Sequence, residues 1–179
     1  AFDETALLID SAFVADGLDL NVDVAPNARL SVSAGGGATW LSDGNRRIGG
    51  VVAVMGAARP ALQVGVLGRT MGYREPNPGR GYFAPDRFTV LEARTVYAWR
   101  RAWWGLRVDG GLGWQQVGSG APGQTEWHAG LSVTRTWRPA GELAFAASVT
   151  NSAASRSASG GGTPGFRYWT IGIRARHGF

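Results

Sequence analysis

The segment FRYWTIGIRARH, residues 166–177, alternates without a break: Trp169, Ile171, Ile173 and Ala175 fall on one side, and Tyr168, Thr170, Gly172, Arg174 and Arg176 on the other. Because successive side chains of an extended chain point to opposite faces, this period of two makes one face apolar and the other polar. The same period recurs over residues 4–14, 17–24, 29–41, 46–57, 61–73, 87–100, 103–117, 125–137 and 142–152. Strands of roughly 9–11 residues cross a bilayer at a tilt, so a succession of such segments constrains the fold more than any other feature. Helical alternatives fail on two counts. The 28 glycines are scattered along the chain, which long helices do not tolerate. No apolar run approaches the roughly 18 residues of a transmembrane helix. The predicted fold is all-β: an antiparallel transmembrane β-barrel of about ten strands. Residues 1–179 form it as a single domain, complete in itself or one part of a larger barrel.

Tryptophan placement argues for the membrane. On 103–117, Trp104, Leu106, Val108, Leu112 and Trp114 make an apolar face closed by tryptophan at both ends, against Arg107, Asp109 and Gln115. On 125–137, Trp127, Ala129, Leu131, Val133 and Trp137 oppose Glu126, His128, Ser132, Thr134 and Thr136. An amphipathic ring is most stable at headgroup depth, so these brackets match two membrane interfaces, and a soluble barrel has no need of them. The connections alternate as well. APNA near Pro26, ARPA near Pro60, residues 100–102 and RPAG near Pro139 are tight, whereas SDGN from Ser42, REPNPGRGYFAPD from Arg74, GSGAPGQ from Gly118 and AASRSASGGGTPG from Ala153 are looser or longer. Short periplasmic turns and longer outer loops have this rhythm, and it runs the last strand down to the periplasm. VADGL around Asp16 breaks the rhythm, reading as a tight turn on the outer side. Cysteine is absent, in keeping with an oxidising compartment. The chain opens without a basic, apolar leader, so a secretory signal is expected to have been removed or to lie upstream.

Trp169, Ile171, Ile173 and Phe179 together resemble the assembly signal of bacterial outer-membrane β-barrels. That likeness implies the bacterial outer membrane as location, its lipid and lipopolysaccharide as surroundings, and the outer-membrane insertion machinery as a partner of this strand. A second resemblance rests on two loops. Asp43, Gly44, Asn45 and Arg46 in WLSDGNRRIGG, with Gly81, Tyr82, Phe83, Pro85 and Phe88 in RGYFAPDRF, are similar to the C-terminal barrel of tetratricopeptide-linked exopolysaccharide secretion porins. These include the bacterial cellulose secretion subunit and the poly-N-acetylglucosamine export porins. The resemblance implies a passive conduit, a porin-like component of exopolysaccharide secretion, with polysaccharide as cargo and a periplasmic scaffold or other barrel chains as partners. The family's barrel is wider and follows a helical repeat scaffold, and this chain has neither the repeats nor the length for the wider barrel.

If the apolar faces meet lipid, the opposite faces line the interior. They supply Arg69, Glu92, Arg94, Arg107, Asp109, Glu126, His128, Tyr168, Arg174 and Arg176 as lumen-lining candidates, with Asp10, Asp19, Asp23 and Glu142 alongside. Charges withdrawn from water are costly unless paired, so Glu92 and Arg94, like Arg107 and Asp109, are expected to find opposite partners on the strand next door. Fully paired, they close the lumen and leave a non-conducting structural barrel that anchors or scaffolds a cell-envelope assembly. Left wet, the arginines with Tyr168 attract an anionic or sugar-like solute. Asp43-Gly44 reads as a hairpin tip in which glycine takes the positive φ and Asn45 bonds the turn backbone. In the longer loop Pro76, Pro78 and Pro85 stiffen the chain, while Tyr82 and Phe83 are costly to leave in water. That loop is expected to fold inward or onto a neighbour, with Tyr82 and Phe83 as candidates to constrict the outer mouth.

No covalent chemistry is expected. Gly118, Gly120 and Gly123 spell GxGxxG, but Pro122 and an alternating strand stand where a nucleotide fingerprint needs a helix. Two histidines and no cysteine leave no conventional zinc cluster, so neither metal nor cofactor is expected. His128 and Ser132 share a face but lie about 13 Å apart at the strand rise, too far for a base and its nucleophile. The net charge of +5 could suggest nucleic acid. The arginines, however, are scattered and many fall near strand ends, where lipid phosphates meet them, and there is no basic helix or aromatic RNA-binding motif, so no nucleic-acid partner is expected.

Overall fold

The computed structural model describes residues 13–76, 82–137, 140–152 and 167–177. They form one sheet of nine strands, each antiparallel to the next: β1 (Ala15–Asn27), β2 (Leu30–Leu41), β3 (Arg46–Arg59), β4 (Leu62–Tyr73), β5 (Phe88–Arg101), β6 (Trp104–Val117), β7 (Gln124–Trp137), β8 (Gly141–Thr150) and β9 (Tyr168–His177). Period-two patterning placed all nine to within a few residues. The segment expected over 4–14 lies outside the described residues apart from Phe13 and Val14, and Phe179 lies outside them too. One connection is corrected. Asp16 and Gly17 do not turn the chain but sit inside β1, paired with Trp40 and Thr39. The ladder with β2 continues past them to Ala15 and Leu41. Beyond it Ser42 N–H donates to the Val14 carbonyl at 2.9 Å and Val14 N–H to the Ser42 hydroxyl at 3.1 Å. Ladder bonds thus replace the local bonds that an Asp-Gly turn offers.

Antiparallel register partners share a face, so the pairing sorts every side chain. The outward face carries Leu18, Leu20, Val22 and Val24 of β1, Leu91 of β5, Leu112 of β6, and Trp169, Ile171 and Ile173 of β9, all exposed. Ile173 is 74% exposed and Leu112 63%, so this face is a large apolar patch of the kind that meets another apolar surface. The tryptophans fall into two belts. Trp40, Trp114, Trp127 and Trp169 stand near the long-loop end, and Trp99, Trp103, Trp104 and Trp137 near the short-turn end. Trp104 and Trp114 of β6 are separated by about 33 Å along the strand, or about 25 Å after a tilt, the height of a membrane-spanning apolar band. Among the described residues, outward-facing charged groups occur only at the strand ends, among them Arg46, Arg101, Arg135 and His177. The Arg135 guanidinium lies 5.2 Å from the Trp104 ring centroid and that of Arg167 5.9 Å from Trp127, one cation–π contact in each belt.

Apart from Gly141, which lies under the Trp137 ring, the buried strand residues belong to the inner face. At the long-loop end, Leu41, Tyr73, Tyr82 and Ala84 form one apolar cluster with Phe13 and Ala15, and Met71, Phe88 and Val90 form another with Phe83 and Val117. Tyr82 is 1% exposed and Phe88 0%. The β4–β5 loop therefore folds inward, as its aromatic residues require. Tyr82 and Phe83 are seated in the core at the mouth, Tyr82 stacked obliquely on Tyr73 and Phe13, and Phe83 edge-on to Phe88.

The long loops are laced together. Gly44 takes the expected positive φ of 84°, and Asp43 Oδ1 accepts from Asn45 N–H at 3.0 Å. The side chain of Asn45 does more than cap its own turn. Its Oδ1 accepts from the N–H groups of Arg46 (2.8 Å) and Glu75 (3.0 Å), while Nδ2 donates to the Glu75 carbonyl and the Tyr82 hydroxyl, both at 2.9 Å. The Tyr82 hydroxyl in turn donates to Asp43 Oδ2 at 2.8 Å. On the other flank Asp86 joins the β4–β5 loop to the β6–β7 loop, accepting from the hydroxyl and the N–H of Ser119 and from Arg87 N–H at 2.8 Å. The Ser119 hydroxyl first, then these backbone groups, hold the Asp86 carboxyl below the usual carboxylate range. A depressed folded-state value means that the contribution is present above the unfolded-state value and is lost as pH falls through the folded one. Ser119→Ala is expected to move the Asp86 titration midpoint upward, as followed by side-chain carboxyl NMR. An unmoved midpoint would remove Ser119 as the cause.

Candidate functional site

All ten lumen-lining candidates lie on the inner face, but the structure brings only six together. Glu92 of β5 is in register with Gly113 of β6, which pairs with Glu126 of β7. One row along, Arg94 pairs with Gly111, which pairs with His128. The middle strand therefore presents no side chain between Glu92 and Arg94 of β5 and Glu126 and His128 of β7. A glycine inside a strand permits close approach across it. An added Cβ at Gly111 would lie 2.5 Å from Glu92 Oε1 and 2.6 Å from His128 Cε1. In that gap Glu92 Oε2 meets His128 Nδ1 at 3.0 Å.

From this contact the cluster extends both ways. Arg94 Nε donates to Glu92 Oε1 on the same strand. His128 Nε2 lies 3.7 Å from Asp109 Oδ2, and Asp109 Oδ1 lies 3.7 Å from Arg107 Nε. Gly130, in register with Asp109, plays the part on β7 that Gly111 plays on β6, since an added Cβ would lie 2.8 Å from Asp109 Oδ2. The expected pairing is corrected in its geometry. Glu92 and Arg94, like Arg107 and Asp109, pair along their own strands, and among the described residues His128 and Glu126 of β7 approach them from another. Alternate residues of one strand share a face, so with glycine opposite, the same-strand neighbour is the nearest long partner.

Glu92 and Glu126 are each 3% exposed. Glu126 Oε2 is buried with no hydrogen-bond partner among the described residues. Glu92, Glu126 and His128 each offer a ligand-type atom, and these atoms lie within 4.8 Å of one another. Both nitrogens of His128 face carboxylates, and Ser132 pairs in register with Arg107 and Ala146.

The remaining candidates stand apart. Arg174 makes a separate pair with Glu142, Nη2 to Oε1 at 3.0 Å. Tyr168 is in register with Thr150, and Arg176 with Glu142. Arg69 lines an inner-face cavity of about 320 Å³ with Asp19, Asn21, Arg47 and Arg94. Sequence reading named the charged members of the cluster but passed over Gly111 and Gly113, although glycines inside an otherwise alternating strand were the available signal. It also passed over Asn45 as a link between loops and over Asp86.

No family model matches the chain, and no curated protein or solved structure is similar to it.

Proposed function

We propose that this chain forms the wall of a bacterial outer-membrane β-barrel that is closed to solutes and anchors a cell-envelope assembly. The observation that carries the reading is the contrast between the two faces. Between the tryptophan belts the outward side chains are apolar, small or aromatic, with no charged group among the described residues, while every charge in that zone points inward. Lipid on one side and a polar interior of largely paired charges on the other account for both. The interior is occupied at the long-loop end by Tyr82, Phe83 and Phe88 and midway by the ionic cluster, and a barrel of about ten strands has little further room. The refolded chain in a planar bilayer is expected to insert and stay silent, with a monomeric mass in detergent. Stable single-channel conductance from a monomer would overturn this reading and make transport the function.

One observation favours a second reading, a passive conduit component of exopolysaccharide secretion. Among the described residues, nine strands, each antiparallel to the next, leave β1 and β9 running the same way at the two ends of the sheet. Direct closure would need a parallel pair, whereas further strands from other chain would give an antiparallel wall wide enough for a polymer. Conductance seen only in an oligomer would favour it.

A further inference from the structure

We propose that Glu92, Glu126 and His128 bind one divalent first-row metal ion of the zinc class inside the barrel. Counting histidine and cysteine argues against such a site, but carboxylates are ligands too, and the register of three strands brings two of them to one imidazole. Their ligand-type atoms already lie within 4.8 Å of one another. Zinc holds nitrogen and oxygen ligands at about 2.0–2.2 Å, so rotations about the glutamate side-chain torsions close the remaining distance. The independent sign of a missing ligand is Glu126. Its Oε2 is buried without a hydrogen-bond partner among the described residues, and the residue is 3% exposed. Unsatisfied buried carboxylate oxygens are costly, and a cation satisfies this one.

The surroundings fit the same occupant. A metal-bound histidine commonly turns its other ring N–H toward a carboxylate, which orients the ring and raises its basicity. With Nδ1 toward the metal, Nε2 faces Asp109 Oδ2 at 3.7 Å. Arg94 holds the Glu92 oxygen that His128 does not face. Glycine at 111 lets the side chains of Glu92 and His128 meet across β6. Two oxygens and an imidazole nitrogen suit zinc or a neighbouring first-row ion, whereas calcium and magnesium favour oxygen-only sites.

The test is calorimetric titration of the chelator-stripped, refolded full chain with Zn²⁺ at neutral pH, with Co²⁺ as an optical substitute. One zinc per chain is expected, with cobalt absorption bands of nitrogen and oxygen ligation. Glu126→Gln keeps the side chain's shape and removes one of two adjacent acids, so it should refold as the wild type does yet lose saturable binding. His128→Gln should lose it too, Asp109→Asn should weaken it about 10–100-fold, and His177→Gln should bind normally. Absence of saturable zinc binding by the wild type would overturn the proposal and leave a proton shared between Glu92 and Glu126 as the occupant. Undiminished binding by both Glu126→Gln and His128→Gln would overturn it equally, as would calcium binding in preference to zinc. If a variant fails to refold, the wild-type cobalt spectrum decides, since oxygen-only ligation also excludes the site.

Discussion

Tyr82→Ala will destabilise the folded barrel by about 3–5 kcal/mol, read as a lowered urea midpoint in detergent or lipid with little change in slope. The ring is buried among Leu41, Tyr73, Ala84 and Phe13, so truncation removes apolar contacts and leaves a cavity that strand-anchored neighbours cannot fill. It also strands two polar partners, because the hydroxyl accepts from Asn45 Nδ2 and donates to Asp43 Oδ2. Tyr82→Phe isolates that second part and should cost about 1–3 kcal/mol, the range for a buried partner left unsatisfied. The two variants together separate packing from hydrogen bonding. A Tyr82→Ala cost no greater than that of Tyr82→Phe would mean that the ring contributes no packing and that the mouth is not sealed by this loop.

Gly111→Val should have an effect of similar size for an electrostatic reason. The added Cβ falls where Glu92 Oε1 and His128 Cε1 stand at 2.5 and 2.6 Å, so the contact between Glu92 and His128 must open. Leaving the buried Glu92 carboxyl without its imidazole partner costs about 1–3 kcal/mol, and more where the stranded group is charged. Gly172→Ala is the control, on the same face of β9 with no atom within 4 Å of the added Cβ, and it should be near neutral. Equal urea midpoints for Gly111→Val and Gly172→Ala would show that the cluster carries no net stability. In a conductance recording, a silent wild type and a leaking Gly111→Val would further tie the closed interior to this contact.

Strand positions were legible because alternation is a local property. In β6, Trp104, Leu106, Val108, Leu112 and Trp114 against Arg107, Asp109 and Gln115 already sort the apolar face from the polar one, and the register carries that phase from strand to strand. The reading failed at Asp16, where a local turn signal lost to pairing with Trp40, a residue its neighbours in sequence do not reveal. It stopped short at Asn45, whose partners Glu75 and Tyr82 lie 30 and 37 residues away.

Composition and period by themselves determined an all-β chain with an apolar outward face, two aromatic belts and inward charges, since each follows from which residues are neighbours along a strand. Which inward charges meet was decided only in three dimensions. Glu92 touches His128 because β5, β6 and β7 align Arg94, Gly111 and His128 in one row and because Gly111 puts nothing between the two side chains. That contact depends on the register of two separate strand pairs and on an absent side chain, and neither is written in the spacing of Glu92 and His128 along the chain.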